Sequence, residues 1–207
     1  MLKRIFLLSP ASCSGRRAEI LLRDQASFDL AVRVRSPEGV PLGEVFSFLS
    51  GLYFRGKLTY ANHFAQPTTD VVRVITTSRG LMSPETLVRR SDLREFADTP
   101  LGLDEPRYRQ PLERDATALA ETLAGDGQAI LLGSVATNKY VEVLDASFGN
   151  RLVFPSEFVG RGDMSRGSLL LRAVDENQEL ALIPVAGAVR RGARPPKLPK
   201  RLQGGEK

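Results

Sequence analysis

Residues 154–172 read FPSEFVGRGDMSRGSLLLR. Within them two carboxylates, Glu157 and Asp163, alternate with two guanidiniums, Arg161 and Arg166. Gly160, Gly162 and Gly167 leave this segment free to take backbone conformations closed to other residues. In a loop at the mouth of a cleft, the arginines would grip a phosphate through their planar forks. Asp163 or Glu157 would then serve as general base. In a plainer role Asp163 only orients an arginine, or the segment is a salt-bridged turn. A second cluster, SGLYFRGKL, sets Tyr53, Arg55 and Lys57 around Gly56. Glycine there admits a ligand close to the backbone, Arg55 and Lys57 supply charge, and Tyr53 orients a sugar or base. A break in a helix with two solvated cations would read the same.

The other polar candidates fall in turns. SPASCSGRR holds Ser9 and Ser12, TTSRGL holds Ser78 and Arg79, and GSVATNKY holds Ser134 and Lys139. Each turn carries hydroxyls and a glycine. Such turns suit phosphate when they lead into helix N-termini, although caps and tight turns need the same residue types. Cys13 lies just before an expected helix start, where a thiol can be activated. His63 is its only possible imidazole partner, and a small buried thiol accounts for it more simply. One cysteine and one histidine provide no zinc site built on sulfur and imidazole. The chain lacks G-x-x-x-x-G-K-[ST], G-x-G-x-x-G and G-x-S-x-G, so a P-loop ATPase, a Rossmann dehydrogenase and an α/β-hydrolase are all disfavoured. No cofactor is expected.

Hydrophobic periodicity sets the strands and helices that carry these residues. Buried strands are expected over 4–9 (RIFLLS), 70–77 (DVVRVITT), 128–134 (QAILLGS) and 151–155 (RLVFP), because short apolar runs rich in branched residues end in turn signals. ELALIPVAG reads as a further strand, and SLLLRAV as a strand or short helix. Helices are expected from Gly15 to Leu22 and on through FDLAVRV, then from about Val45 to His63 with a break at Gly51 and Gly56. Two more are expected over RYRQPLERDATALAETLAGDG and VATNKYVEVLDASFG. SDLREFADTPLGLDEPRY reads as a long irregular connection. Strands alternating with helices predict a single layered α/β domain over 1–186, with a mostly parallel central sheet flanked by helices. From 187 to 207 the chain is basic and rich in proline and glycine, the composition of a disordered tail.

The chain has 207 residues, 42% of them apolar, and a net charge of +5. That is enough for one full core. No apolar run approaches the ~20 residues that span a bilayer. The opening MLKRIFLLSPASC has too short an apolar part for a signal peptide, so a cytoplasmic location is expected. A basic, arginine-rich surface suits nucleic acid or nucleotides. It is also an ordinary bacterial composition.

The order of these motifs resembles the YaaA peroxide-stress protein family. LLSPASC is similar to that family's opening strand and Ser-Pro, SGLYFRGKL to its Tyr-x-Gly segment, and VITTSRGLMSPETL to its Ser-x-Gly-Leu turn. ILLGSVATNKYVEVL resembles its strand, polar turn and Tyr-bearing helix, and FVGRGDMSRGSLLL its late Arg-Gly-x-Met-x-Arg region. Val159 and Gly160 stand where the family carries lysines. The resemblance implies binding of double-stranded DNA in a basic cleft, a link to DNA protection under oxidative stress, and a fold related to enzymes acting on nucleobases.

Residues and resemblance together give three expectations. The first is a nucleic-acid-binding protein, for DNA in preference to RNA. Its phosphates would be held by Ser9, Ser12, Arg55, Lys57, Ser78, Arg79, Ser134, Lys139, Arg161 and Arg166. The second is an enzyme on a nucleotide or nucleobase, of N-glycosidic hydrolase or transferase type, with Asp163, Glu157 and Tyr53 as the catalytic candidates. The third is a protein-interaction module that uses the aromatic stretch 46–54 as its surface.

Overall fold

The computed structural model of the chain describes residues 1–198. At its centre is a six-stranded sheet in the order β4-β3-β1-β6-β7-β8. Strands β1 (Leu2–Leu8), β3 (Asp70–Ile75), β6 (Leu123–Leu132) and β7 (Leu152–Pro155) run parallel. The short strands β4 (Leu81–Met82) and β8 (Leu182–Pro184) close the two edges antiparallel. Ile5 to Leu8 in β1 and Ala129 to Leu132 in β6 have no exposed surface. Continuous apolar runs of this kind belong to parallel strands covered on both faces. A second, two-stranded sheet pairs β2 (Val40–Pro41) with β5 (Leu87–Val88).

Among the described residues eight α-helices surround the sheet: α1 (Arg16–Leu22), α2 (Asp29–Arg35), α3 (Leu42–Ser50), α4 (Leu52–Phe64), α5 (Arg90–Asp98), α6 (Pro106–Thr122), α7 (Asn138–Phe148) and α8 (Asp163–Asp175). Helices α4 and α8 pack on each other, as do α6 and α7. Gly51, at φ +61°, makes the break between α3 and α4. At the α4–α8 crossing a Cβ on Gly56 would stand 2.8 Å from the Gly167 carbonyl oxygen. One on Gly167 would stand 2.7 Å from the Leu52 carbonyl oxygen. Gly56 therefore admits a helix, where the sequence suggested a ligand.

Three expectations are corrected by the fold. Residues 90–98, read as irregular, form α5, which buries Leu93 and Phe96. The segment around Arg161 and Asp163 is no long flexible loop, because α8 begins at Asp163 and carries Arg166 into the interior. The aromatic stretch 46–54 is core: Phe46 and Phe54 are buried edge to face at 5.3 Å, so it offers no partner surface. Residues 187–198 form no helix or strand. They nevertheless lie against the body, with Arg191 donating to the Ala136 carbonyl and Arg190 to Asn138. Residues 199–207, the rest of the expected tail, lie outside the described residues. Among the described residues no helix is long and apolar enough to cross a membrane.

Asp70, at the start of β3, ties the edge of the fold together. Its buried carboxylate accepts from the Arg4 backbone N–H and Nε, the Gln66 N–H and the Thr69 hydroxyl. Asp70→Asn keeps the shape but removes the charge from these bonds. It is expected to lower unfolding stability by about 2 kcal/mol, read as a shifted denaturation midpoint at constant slope.

Candidate functional site

Strands β3, β1 and β6 are neighbours, and β1 lies where the chain changes direction across the sheet. In open parallel sheets ligands bind beyond the carboxyl ends of strands at such a point. The turns after these three strands do meet there, on a cleft of about 670 Å³. Ser9 to Ser14 follow β1, Thr77 follows β3, and Ser134, Thr137, Lys139 and Tyr140 follow β6. Tyr53 from α4, Phe96 and Thr99 from α5 and its end, and Asp163 from the start of α8 complete the walls.

Proline at position 10 cannot extend the ladder, so β1 stops and Ser9 borders the cleft. Ser9 is only 6% accessible. Behind it, one turn deeper on α4 than Tyr53, lies Lys57, with no accessible surface. Its Nζ donates to the Ser9 carbonyl at 2.5 Å and lies 2.8 Å from Ser9 Oγ. It also stands 4.4 Å from the centre of the Tyr53 ring and 4.9 Å from that of Phe54. Burial pulls the Lys57 ammonium down to about 7, with Asp163 opposing the shift and Arg166 adding to it. On the far side the Tyr140 phenol meets the Ser9 hydroxyl and donates to the Ser134 carbonyl at 2.9 Å. Burial raises Tyr140 to about 12. This approach depends on Gly133: a Cβ there would stand 2.8 Å from both Ser9 Cβ and Tyr140 Oη.

Tyr53 is buried along the cleft wall; no group meets its hydroxyl at full hydrogen-bond geometry, and the Arg166 guanidinium lies near it. Burial raises its pKa well above the ordinary phenol value. A buried hydroxyl without a full bond carries a desolvation cost.

Of the residues expected to form a site, the cleft gathers Ser9, Ser12, Tyr53, Ser134, Lys139 and Asp163. The side chain of Asp163 is 70% exposed and stands 3.5 Å from Arg166. The phosphate-holding role expected of the cations does not survive for three of them. Lys57 is buried behind Ser9. Arg166 is buried and donates to the Phe158 carbonyl. Arg79 is bound by Glu95 and Asp92 over the Phe96 ring. Ser78 is held by Glu95 at 2.5 Å in a neighbouring groove between α5 and α6. Arg55 is exposed on α4, away from the cleft lining. Glu157 is exposed and also off the lining. Arg161 donates to the Glu157 carbonyl and Ser165, in a separate groove against residues 194–198.

Tyr140 is a site residue that the sequence did not single out, although it stands at a helix start directly after a polar turn. Lys57 lies in a different place from the one its neighbours suggested. A signal was present: Tyr53, Lys57 and Tyr60 recur at helical spacing on the apolar stripe of α4, and Arg55 does not. Cys13 lines the cleft but is buried, and burial raises its thiol to about 12. His63 bonds to Asn177, so no Cys–His pair forms. Among the described residues no cluster of three or more His, Cys, Asp or Glu is placed to hold a metal ion.

Comparison with protein-family models, with curated proteins and with solved structures returns no match for this chain.

Proposed function

We propose that the chain is an enzyme of hydrolase or transferase type that takes a small nucleotide- or nucleobase-like molecule into the strand-end cleft. The observation that carries this reading is the Tyr53 hydroxyl, buried in the cleft wall with no group at full hydrogen-bond geometry. Around it the cleft combines what a nucleoside requires. The rings of Tyr53, Tyr140 and Phe96 suit a base, and the hydroxyls of Ser9, Ser12, Thr77, Ser134 and Thr137 suit a sugar. Asp163 stands on the same cleft as both tyrosines. The withdrawal of Arg79 and Arg166 into internal bonds argues against a site built mainly to grip phosphates.

The test is a thermal-shift and calorimetric panel of nucleobases, nucleosides and nucleoside monophosphates. At least one class should raise the unfolding midpoint of the wild type. Tyr53→Phe should leave the ligand-free protein as stable or slightly more stable, since it deletes a poorly satisfied group. It should weaken the bound ligand about tenfold, the worth of one buried hydrogen bond. Ligand affinity unchanged in Tyr53→Phe, or no response to any member of the panel, would sink this reading.

A second reading, the binding of duplex DNA, has one observation in its favour. Arg190 and Arg191 are fastened beside the turn that bears Lys139, and Arg194 and Lys197 come after them in the chain. A basic strip flanking the cleft would hold a phosphate backbone. Its affinity would then fall steeply with salt, which fluorescence anisotropy with labelled duplex reads directly.

A further inference from the structure

The contact between Lys57 and Ser9 bears on reaction type, given the reading of the cleft as a small-molecule active site, on which this inference rests. Lys57 Nζ meets two oxygens of Ser9, its carbonyl and its hydroxyl. A neutral amine, with two N–H donors and a lone pair, can serve both. One N–H donates to the carbonyl, and the lone pair accepts from the hydroxyl. That is the relation of a base to a nucleophile. Tyr140 Oη stands against the same hydroxyl, close because residue 133 is glycine; its own proton goes to the Ser134 carbonyl, so it limits the space of Ser9 Oγ without donating to it. Ser9 lines the cleft while Lys57 does not, so a substrate meets the serine and not the amine.

We propose that Ser9 is a covalent nucleophile with Lys57 as its general base, and that the cleft catalyses acyl transfer from an ester or amide of the nucleotide-like substrate. Ser9 Oγ attacks the acyl carbon, and its proton passes to Lys57 Nζ as the C–O bond forms and the carbonyl electron pair moves onto oxygen. The tetrahedral centre collapses, and the bond to the leaving alcohol or amine breaks. That group departs with the proton from Lys57. Water, or an acceptor alcohol or amine, then attacks the acyl-Ser9 ester, with Lys57 again the base, and the serine hydroxyl is restored. Tyr140 is a positioning residue. The groups facing the pair are Tyr53 from α4, Tyr140 from α7, and Asp163 and Arg166 from α8. Burial holds Lys57 near 7, so a useful share of it is free base at neutral pH.

The test is to treat the full chain with a fluorophosphonate, which replaces its P–F bond with a bond to an activated serine and releases fluoride. Intact mass counts the adducts, and peptide mapping locates them. One adduct is expected, on Ser9, with a rate that rises through a midpoint near pH 7. Ser9→Ala should abolish it. Lys57→Met should slow it about 100-fold or more, the scale of a lost general base. The wild-type pH profile needs no variant and stands even if Lys57→Met fails to fold. Absence of an adduct, an adduct on Ser12 or Ser14 instead, or a rate on Ser9 indifferent to pH and to Lys57 would overturn the proposal. The probe carries no nucleoside, so it separates the two readings. Tyr53-dependent ligand binding without labelling removes the nucleophile alone. Labelling without nucleoside binding leaves the nucleophile standing and removes the substrate class.

Discussion

Relative to wild type, Lys57→Met should gain stability on the order of 4 kcal/mol as the pH falls from about 10 to about 6. The cause is burial, which lowers the Lys57 ammonium from 10.5 to about 7 in the folded chain. Between those values the unfolded chain binds a proton that the folded chain refuses. The wild type therefore loses stability as pH falls through this window. Below about 7 the folded chain takes up the proton as well, and the loss levels off. Methionine has roughly the same reach and no titrating group, so the variant lacks this slope. At high pH it is the weaker protein, because the Ser9 carbonyl has lost its donor. Denaturant unfolding of both proteins across this range isolates Lys57 from every other titrating group, since those are common to both. Parallel stability curves would mean that Lys57 stays charged in the fold. The lone pair required to accept the Ser9 proton would then be missing, and the nucleophile proposal would fall with it.

What could be read from the sequence was the sheet and the place of the cleft. Ile5 to Leu8, Val74 and Ile75, and Ala129 to Leu132 are apolar without alternation, because parallel strands are buried on both faces. Each run ends in a turn rich in hydroxyls, so the polar rim could be foreseen once the strands were taken as parallel neighbours. Helix α5 was hidden because only Leu93 and Phe96 of its nine residues are buried. Its start is marked by Asp92 accepting from the Arg89 backbone N–H at 2.7 Å, which is not among the commoner cap sequences. The start of α8 was hidden for a different reason. Glycine marks a loop when the backbone needs a positive φ, and it marks a helix crossing when a neighbour needs room. Gly160 has a positive φ of 72°, but Gly167 lies inside α8 against α4. Composition cannot separate these two uses. The arginines misled in a similar way: guanidiniums suit a phosphate, yet they suit backbone carbonyls equally well, and Arg166 is spent on Phe158.

Gly167→Val is expected to cost about 3 kcal/mol or more and to disable the Ser9–Lys57 pair together with the fold's stability. The first β-carbon alone would lie 2.7 Å from the Leu52 carbonyl oxygen, and 2.9 Å from both its carbon and the Tyr53 Cα. These are backbone atoms, so no side-chain rotation relieves the clash, and α4 and α8 must separate. Tyr53 and Lys57 both ride on α4 within the next turn and a half, so separation draws Nζ from Ser9 and opens the wall of the cleft. Gly162→Ala is the matched control in the same segment. Its Cβ would meet nothing within 4 Å, and its φ of −81° suits alanine. It should shift stability by no more than about 1 kcal/mol. Chemical denaturation and the labelling rate of Ser9 by fluorophosphonate, measured on both variants, link packing to chemistry. If Gly167→Val loses stability yet labels at the wild-type rate where it is still folded, the helix crossing supports the core without setting the position of Lys57. If rate and stability fall together while Gly162→Ala keeps both, the close approach of two glycines is what holds the amine on the serine.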